Sequence, residues 1–198
     1  QSFSESDLEL LRQMMAKGVN TPVTTGAGRL FDAVASLTGI RQKCSFEGQA
    51  AMELEWAVPP EPADDTYHSR LTEAEIADPA TGAVADSGPA PGPMLMIDWQ
   101  PMILELLEEV DRGEQRGAIS ARFHNTLGRL VGEVAERVGE ERVVLSGGCF
   151  QNRYLTERAV QELVSRGFRV YRHQRIPPND GGISLGQAVA ASSSGGPN

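Results

Sequence analysis

"VVLSGGCFQNRYL", residues 143–155, carries an apolar strand into two glycines and out again into a helix. Val143, Val144 and Leu145 form a short, largely β-branched run closed by Gly147 and Gly148, the pattern of a strand buried on both faces. Phe150, Leu155, Ala159, Val160 and Leu163 then recur at helical spacing, and Gly167 stands where a left-handed helix C-cap belongs. Phe168, Val170 and Tyr171 make a second strand. The whole is a βαβ unit of about thirty residues, the length that a parallel pair with a crossover helix requires.

Working outward, "RIPPNDGGISLGQAVAA" follows: Pro177 and Pro178 impose an extended approach, Asn179 to Gly182 a turn, and Ile183 onward a helix. Upstream, Ile119, Phe123, Leu127, Leu130, Val134 and Val138 step by three and four, the most regular helix of the chain. "MLMIDWQPMILELLEEVDRG" predicts a strand over Met94–Trp99 and a helix to about Arg112, with Pro101 in its first turn. Between Pro59 and Pro93 the chain is rich in Pro, Gly, Asp and Ala, which predicts loops and weak edge strands, "TYHSRL" the best of them, with 87–93 a turn or linker. Three helices precede it. Ser4 caps one carrying Leu8, Leu11 and Met15, with Asp7 completing a capping box and Gly18 as the stop. The second has Leu30, Val34 and Leu37 on one face and closes at Gly39; the third covers 47–57 with Ala51, Met52 and Leu54 as its apolar positions. Helices, weak strands, then helix, strand, helix, strand, helix argue an α/β fold with an at least partly parallel sheet, and ligands of such sheets bind beyond the carboxyl ends of the strands.

With 198 residues the chain is long enough to bury a real core. Eighteen Lys and Arg stand against 27 Asp and Glu, so the formal net charge of −9 offers no general attraction to nucleic acid or to an anionic membrane. No run approaches the roughly twenty apolar residues of a membrane span, and no basic start followed by an apolar run suggests a secretory signal. Cys44 and Cys149 form no CxxC pair, so neither a disulfide framework nor a structural zinc site is indicated; a soluble protein of the reducing cytoplasm is expected. The first residue is Gln, from which we expect a piece of something longer. Residues 193–198 are expected to form a disordered tail.

In "SGGCFQN" the missing β-carbons let a ligand approach the main chain, and amide hydrogens at a helix start favour a phosphate; plain turn geometry is the alternative. The pattern is neither the P-loop nor GxGxxG. Asn152 can present its amide to a ligand or bond the backbone at a helix start. Asp180 can act as an N-cap or as a ligand for a hard cation. His68, His124 and His173 show no metal-ligand spacing, and His124, within "RFHNTL", reads as a packing or hydrogen-bonding residue of a helix. Cys149 sits where a helix start favours the thiolate, but it has no histidine nearby in sequence to make it a nucleophile. Asp32 projects from the second helix and can accept from ribose hydroxyls; Gly48 can admit a flat ring.

Taken together, "GAGRLFDAVASLTGI", "EGQAAMELE", "IDWQP", "ISARFHNTL", "VVLSGGCFQNRYL" and "PPNDGGISLGQA" occur in an order that resembles the C-terminal half of the Kae1-like carbamoyltransferase domain of the HypF family, maturation factors of nickel-iron hydrogenases. The resemblance covers residues 1 to about 190. It implies one ASKHA (actin/hexokinase/Hsp70-like) lobe over residues 1–192, with a partly parallel mixed sheet flanked by helices. It also implies a nucleotide site: Asp32 for the sugar, Gly48 in a second nucleoside-contacting loop, and Gly147, Gly148 and Asn152 around the nucleotide, with Asp180 completing a divalent metal site (zinc, iron or magnesium) shared with another lobe. The cofactor implied is ATP.

The implied activity is formation of carbamoyl adenylate from carbamoyl phosphate and ATP, and carbamoyl transfer to the C-terminal cysteine of the HypE maturation protein, the precursor of an iron cyanide ligand. The acylphosphatase-like region, the zinc fingers, the carbamoyl-phosphate-processing domain and the first lobe with its paired metal histidines have no counterpart in these residues, so half a site, and no turnover by this chain alone, is expected. Two rivals stand beside this reading: a lobe of a tRNA threonylcarbamoyl transferase, which the acidic balance and the "RFHNTL" and "PPNDGG" wording disfavour, and a non-catalytic nucleotide-binding or docking module.

Overall fold

The computed structural model describes residues 3–74 and 94–194. They fall into two compact units divided between Trp56 and Ala57. The expected turn at 87–93 and the tail residues 195–198 lie outside the described residues.

The first unit is helical. Helix α1 (Glu5–Lys17) begins at Ser4, whose hydroxyl accepts from the Asp7 amide at 3.2 Å while the Asp7 carboxylate accepts from the Ser4 amide at 2.9 Å, the expected capping box. Hydrogen bonds from the Ser4 hydroxyl and amide hold the Asp7 carboxyl below its ordinary range. None of the residues of α1 is buried, so Leu8, Leu11 and Met15 form no core. Helix α2 (Ala27–Leu37) buries Leu30, Phe31, Val34 and Ala35. Leu37, expected on that face, is the last helical residue and turns outward. Helix α3 (Gln49–Trp56) packs on α2 through Ala50 and Leu54, with Met52 facing out rather than in.

The second unit is α/β. Strand β1 (Arg70–Ala74) pairs antiparallel with β2 (Met94–Asp98), Thr72 opposite Met96; the strand expected at "TYHSRL" thus begins later, because Tyr67 and Ser69 are held instead by α5. Helix α4 (Gln100–Asp111), with Pro101 in its first turn, buries Met102 and Leu106. The 23-residue α5 (Arg116–Val138) is the main scaffold, burying Ile119, Phe123 and Leu130, while Val138 is exposed at its end.

Strand β3 (Arg142–Leu145), helix α6 (Arg153–Ser165) and strand β4 (Arg169–Arg172) form the expected βαβ unit, the strands parallel with Val144 opposite Tyr171. Ala135, Leu145, Ala159 and Leu163 make its core, flanked by Val143, Phe150, Phe168 and Val170. Small residues set the closeness of α5 and α6: a β-carbon on Gly128 would lie 3.0 Å from the Arg158 Cβ.

Two expectations about the sheet are corrected. One mixed sheet was expected; among the described residues there are two separate two-stranded sheets, one antiparallel and one parallel. Nor is β3 buried on both faces: Leu145 is buried, but Val144 is 66% exposed, because the core helices cover one face of the pair. Finally, α7 (Ile183–Ser194) continues through Ser193 and Ser194, which were expected in the tail. Ser192 bonds back to the Val189 carbonyl at 2.8 Å, a local contact that lets serine persist in a helix. Among the described residues no helix is long and apolar enough to cross a membrane.

Candidate functional site

The glycine turn follows the carboxyl end of β3. Gly147 has φ 104 and ψ 159, a backbone conformation that is essentially restricted to glycine. Its amide donates to the Pro178 carbonyl at 2.7 Å, so it is taken up within the protein and not offered to a ligand. That bond places the loop carrying Asp180 against the turn leading to Asn152. A single 3-10 turn (Gly148–Gln151) then precedes α6. Its bonds run from the amides of Phe150 and Asn152 back to the carbonyls of Gly147 and Cys149, which leaves the amides of Gly148 and Cys149 without a partner among the described residues. A β-carbon at Gly148 would meet nothing within 4 Å, and its φ is not positive. Neither internal packing nor backbone geometry therefore demands glycine at 148.

Asn152 is the N-cap of α6. Its Oδ1 accepts from the Leu155 amide at 2.8 Å, and its Nδ2 lies 2.8 Å from His124 Nε2. The His124 Nδ1–H donates to the Ser120 carbonyl at 2.7 Å, which leaves Nε2 as the acceptor. The side-chain amide is thus spent inside the fold. His124, fully buried on α5, is the hydrogen-bonding residue expected; burial lowers its pKa to about 4.

Its neighbours are employed in the same way. Asn125 Nδ2 donates to the carbonyls of Ala63 and Asp65 at 2.8 and 3.1 Å, its Oδ1 accepts from the Tyr154 hydroxyl at 2.9 Å, and Thr126 Oγ1 accepts from the Tyr67 amide at 2.9 Å. The Tyr67 hydroxyl donates to Glu109 at 2.6 Å, and burial first, then that carboxylate, raises its pKa far above the ordinary phenol. Arg122 pairs with both Asp65 and Glu109. Three consecutive polar residues buried in one helix, "HNT", are the sequence signal that could have disclosed this network, of which only His124 was singled out.

Asp180 is exposed, and the cap expected of it falls to Asn179, whose Oδ1 accepts from the Gly181 amide at 3.1 Å. A β-carbon at Gly182 would sit 3.0 Å from the Pro177 carbonyl, so here the glycine is set by packing. Among the described residues no group of three or more His, Cys, Asp or Glu can hold a metal ion, and Asp180 by itself does not make a metal site. The Cys149 thiol is pushed up by burial, which outweighs the helix-start effect expected from sequence.

A groove of about 470 Å³ opens beyond the carboxyl ends of both strands, lined by Leu145, Arg172 and His173 on the strand side, Phe150 and Arg153 on the helix side, and Pro178. It adjoins the candidate residues without being lined by them. His173 Nε2 is 3.1 Å from the Ser146 hydroxyl, and no carboxylate among the described residues pairs with Arg172. Two arginines at this mouth are a feature that the sequence reading did not single out.

In the first unit, Asp32 on α2 is partly exposed and paired with Arg29 at 2.9 Å. Gly48, just before α3, has φ 80, so its own backbone calls for glycine. The loop before it is fixed by Arg41, whose Nε and Nη2 donate along one guanidinium edge to the two carboxylate oxygens of Glu53, and by the Ser45 amide, which donates to Gln49 at 2.7 Å.

Comparison with known proteins gives a consistent result. Residues 1–187 match the family described as "Carbamoyltransferase, Kae1-like Domain, second subdomain". The chain is 36% identical over 180 residues to "Carbamoyltransferase HypF" of Synechocystis sp., covering 91% of this chain and 21% of that one, and 35% identical over 197 residues to the protein of that name from Rhodobacter capsulatus, covering 96% and 22%. Among solved structures it is similar to full-length HypF in its phosphate- and nucleotide-bound form, with a TM-score of 0.81, 34% identity, and coverage of 97% of this chain and 23% of that chain. The chain thus spans about a fifth of the length of these relatives.

Proposed function

Because the chain belongs to the Kae1-like carbamoyltransferase domain family, as its second subdomain, we propose that it is the nucleotide-binding lobe of a carbamoyltransferase of hydrogenase maturation, built on the ASKHA plan. The observation that carries the reading is Gly148. Nothing inside the fold requires glycine there, and its missing side chain leaves open space beside two unpartnered amides, those of Gly148 and Cys149. A phosphate of ATP accepts from such donors, and the start of α6 behind them favours negative charge. The solved relative that holds phosphate and nucleotide supports this reading.

In the second unit the Gly147–Pro178 bond fixes the turn and Asn152 holds its exit; in the first unit, taken by itself, Asp32 is the proposed acceptor for a ribose and Gly48 the proposed nucleoside-contacting glycine. Asp180 contributes one carboxylate to a divalent cation whose other ligands lie outside the described residues. In the parent enzyme water cleaves carbamoyl phosphate to carbamate and phosphate. A carbamate oxygen then bonds to the α-phosphorus of ATP as the bond to the β-phosphate breaks, giving carbamoyl adenylate and pyrophosphate. In the transfer step a HypE cysteine sulfur bonds to the carbamoyl carbon as the bond from that carbon to the AMP phosphate oxygen breaks; AMP leaves and the thiol proton passes to solvent. Donors fixed around the phosphate stabilise the charge on the departing AMP.

Calorimetric titration of ATP into this protein and into Gly148→Ala tests the reading. The added methyl meets no protein atom, so the fold is retained, yet it occupies the space a phosphate would take. An affinity loss of at least about tenfold is expected, equivalent to about 1.4 kcal/mol. Equal affinity in the two proteins, or no binding by either, refutes it.

A further inference from the structure

We infer that His124 is a positioning residue for the glycine turn, acting through Asn152 and not on any ligand. The inference rests on the proposal that the turn receives a nucleotide. His124 lies 28 positions before Asn152, is 0% exposed, and so touches no ligand itself. What it controls is the direction of an amide. With Nδ1–H committed to the Ser120 carbonyl at 2.7 Å, Nε2 offers a lone pair, and only the NH2 side of Asn152 can face it. The carboxamide oxygen is thereby turned to the Leu155 amide at 2.8 Å, the bond that caps α6.

The opposite orientation would set oxygen against the imidazole lone pair and NH2 against the Leu155 N–H. It would create two repulsive contacts in place of two bonds. Flipping is therefore closed off, and the junction between the 3-10 turn and α6 has one geometry. The amides of Gly148 and Cys149 belong to that turn, so their direction depends on the same bond.

The imidazole is held still on both sides. The rings of Phe123 and Tyr154 meet it edge-on, each with centroids 5.6 Å away, and the Tyr154 hydroxyl is itself fixed by Asn125. Burial keeps the ring neutral, as the acceptor role requires.

The test joins two measurements. Nitrogen-15 spectra of the wild-type imidazole should place the proton on Nδ1 and leave Nε2 bare; the Nε2–H tautomer overturns the inference. Three variants are then compared. His124→Leu removes the acceptor, His124→Gln restores one at similar reach, and Met102→Ala destabilises the core away from the turn. In His124→Leu, Leu155 amide exchange should speed up, and ATP affinity should fall, each by about tenfold relative to Met102→Ala. His124→Gln should recover most of both. If His124→Leu and Met102→Ala behave alike, the inference fails. Should His124→Leu not fold, the tautomer and the His124→Gln exchange data still decide it. Should the wild type bind no ATP, the nucleotide proposal falls, while tautomer and Leu155 exchange judge the positioning of the turn separately.

Discussion

The Gly147 amide donates to the Pro178 carbonyl at 2.7 Å, so the turn after β3 and the loop before α7, 31 positions apart in the chain, are one structural unit. The bond needs a backbone at φ 104 and ψ 159.

Gly147→Ala should therefore destabilise the protein by about 1–3 kcal/mol, the cost of forcing a β-carbon into that region. Gly148→Ala, with ordinary φ and open space, should stay within about 0.5 kcal/mol of wild type. Urea midpoints at unchanged slope measure both. Equal effects at the two positions would contradict the geometry.

His124 predicts an acid limb. Its folded pKa is about 4, below the 6.5 of the free side chain. Above 6.5 the histidine is neutral folded and unfolded, and the protein has its full stability with respect to this group. As the pH falls from 6.5 towards 4 the unfolded chain takes up a proton that the folded chain refuses, so stability is lost, by about 3 kcal/mol in all. Unfolding free energies for wild type and His124→Gln across this range should differ in slope; parallel curves would count against the burial argument.

Two glycines of α5 should respond differently to alanine. At Gly128 the new β-carbon meets the Cβ and main chain of Arg158 at 3.0 and 3.3 Å, and two helices would have to part. At Gly132 it meets the Arg166 guanidinium at 2.7 Å, the far end of a flexible side chain. Gly128→Ala should cost about 1 kcal/mol net, overpacking exceeding the gain in helix propensity, and Gly132→Ala should be neutral or stabilising. Thermal or urea unfolding reads the difference, and the reverse ranking would refute it.

The chain covers 21% and 22% of two relatives that match it, and its described residues hold no group that could bind a metal by itself. Purified protein of these 198 residues, given ATP, carbamoyl phosphate and HypE, should yield no carbamoylated HypE by mass spectrometry. Detectable product would show that the half-site reading is wrong.

Local patterns were legible because their causes lie within a few residues. The capping box of Ser4 and Asp7, the helical spacing from Leu155 to Leu163 and the glycine after α6 each depend on neighbours in the chain; the βαβ unit followed from the order and length of such local elements, since a parallel pair needs a crossover helix between its strands. The exposure of Val144 and the separation of the strands into two pairs were not legible, since apolar character does not say which face finds a cover. At the site, the sequence alone determined where a glycine turn, an Asn and an Asp would stand, and which family they resemble. Tertiary structure decided what each does: Gly147 is bonded to Pro178, Asn152 is turned by His124, and Gly148 is left open. Hydrogen bonds between distant segments made those assignments, and such bonds depend on where the fold brings donors and acceptors together, which no local pattern encodes.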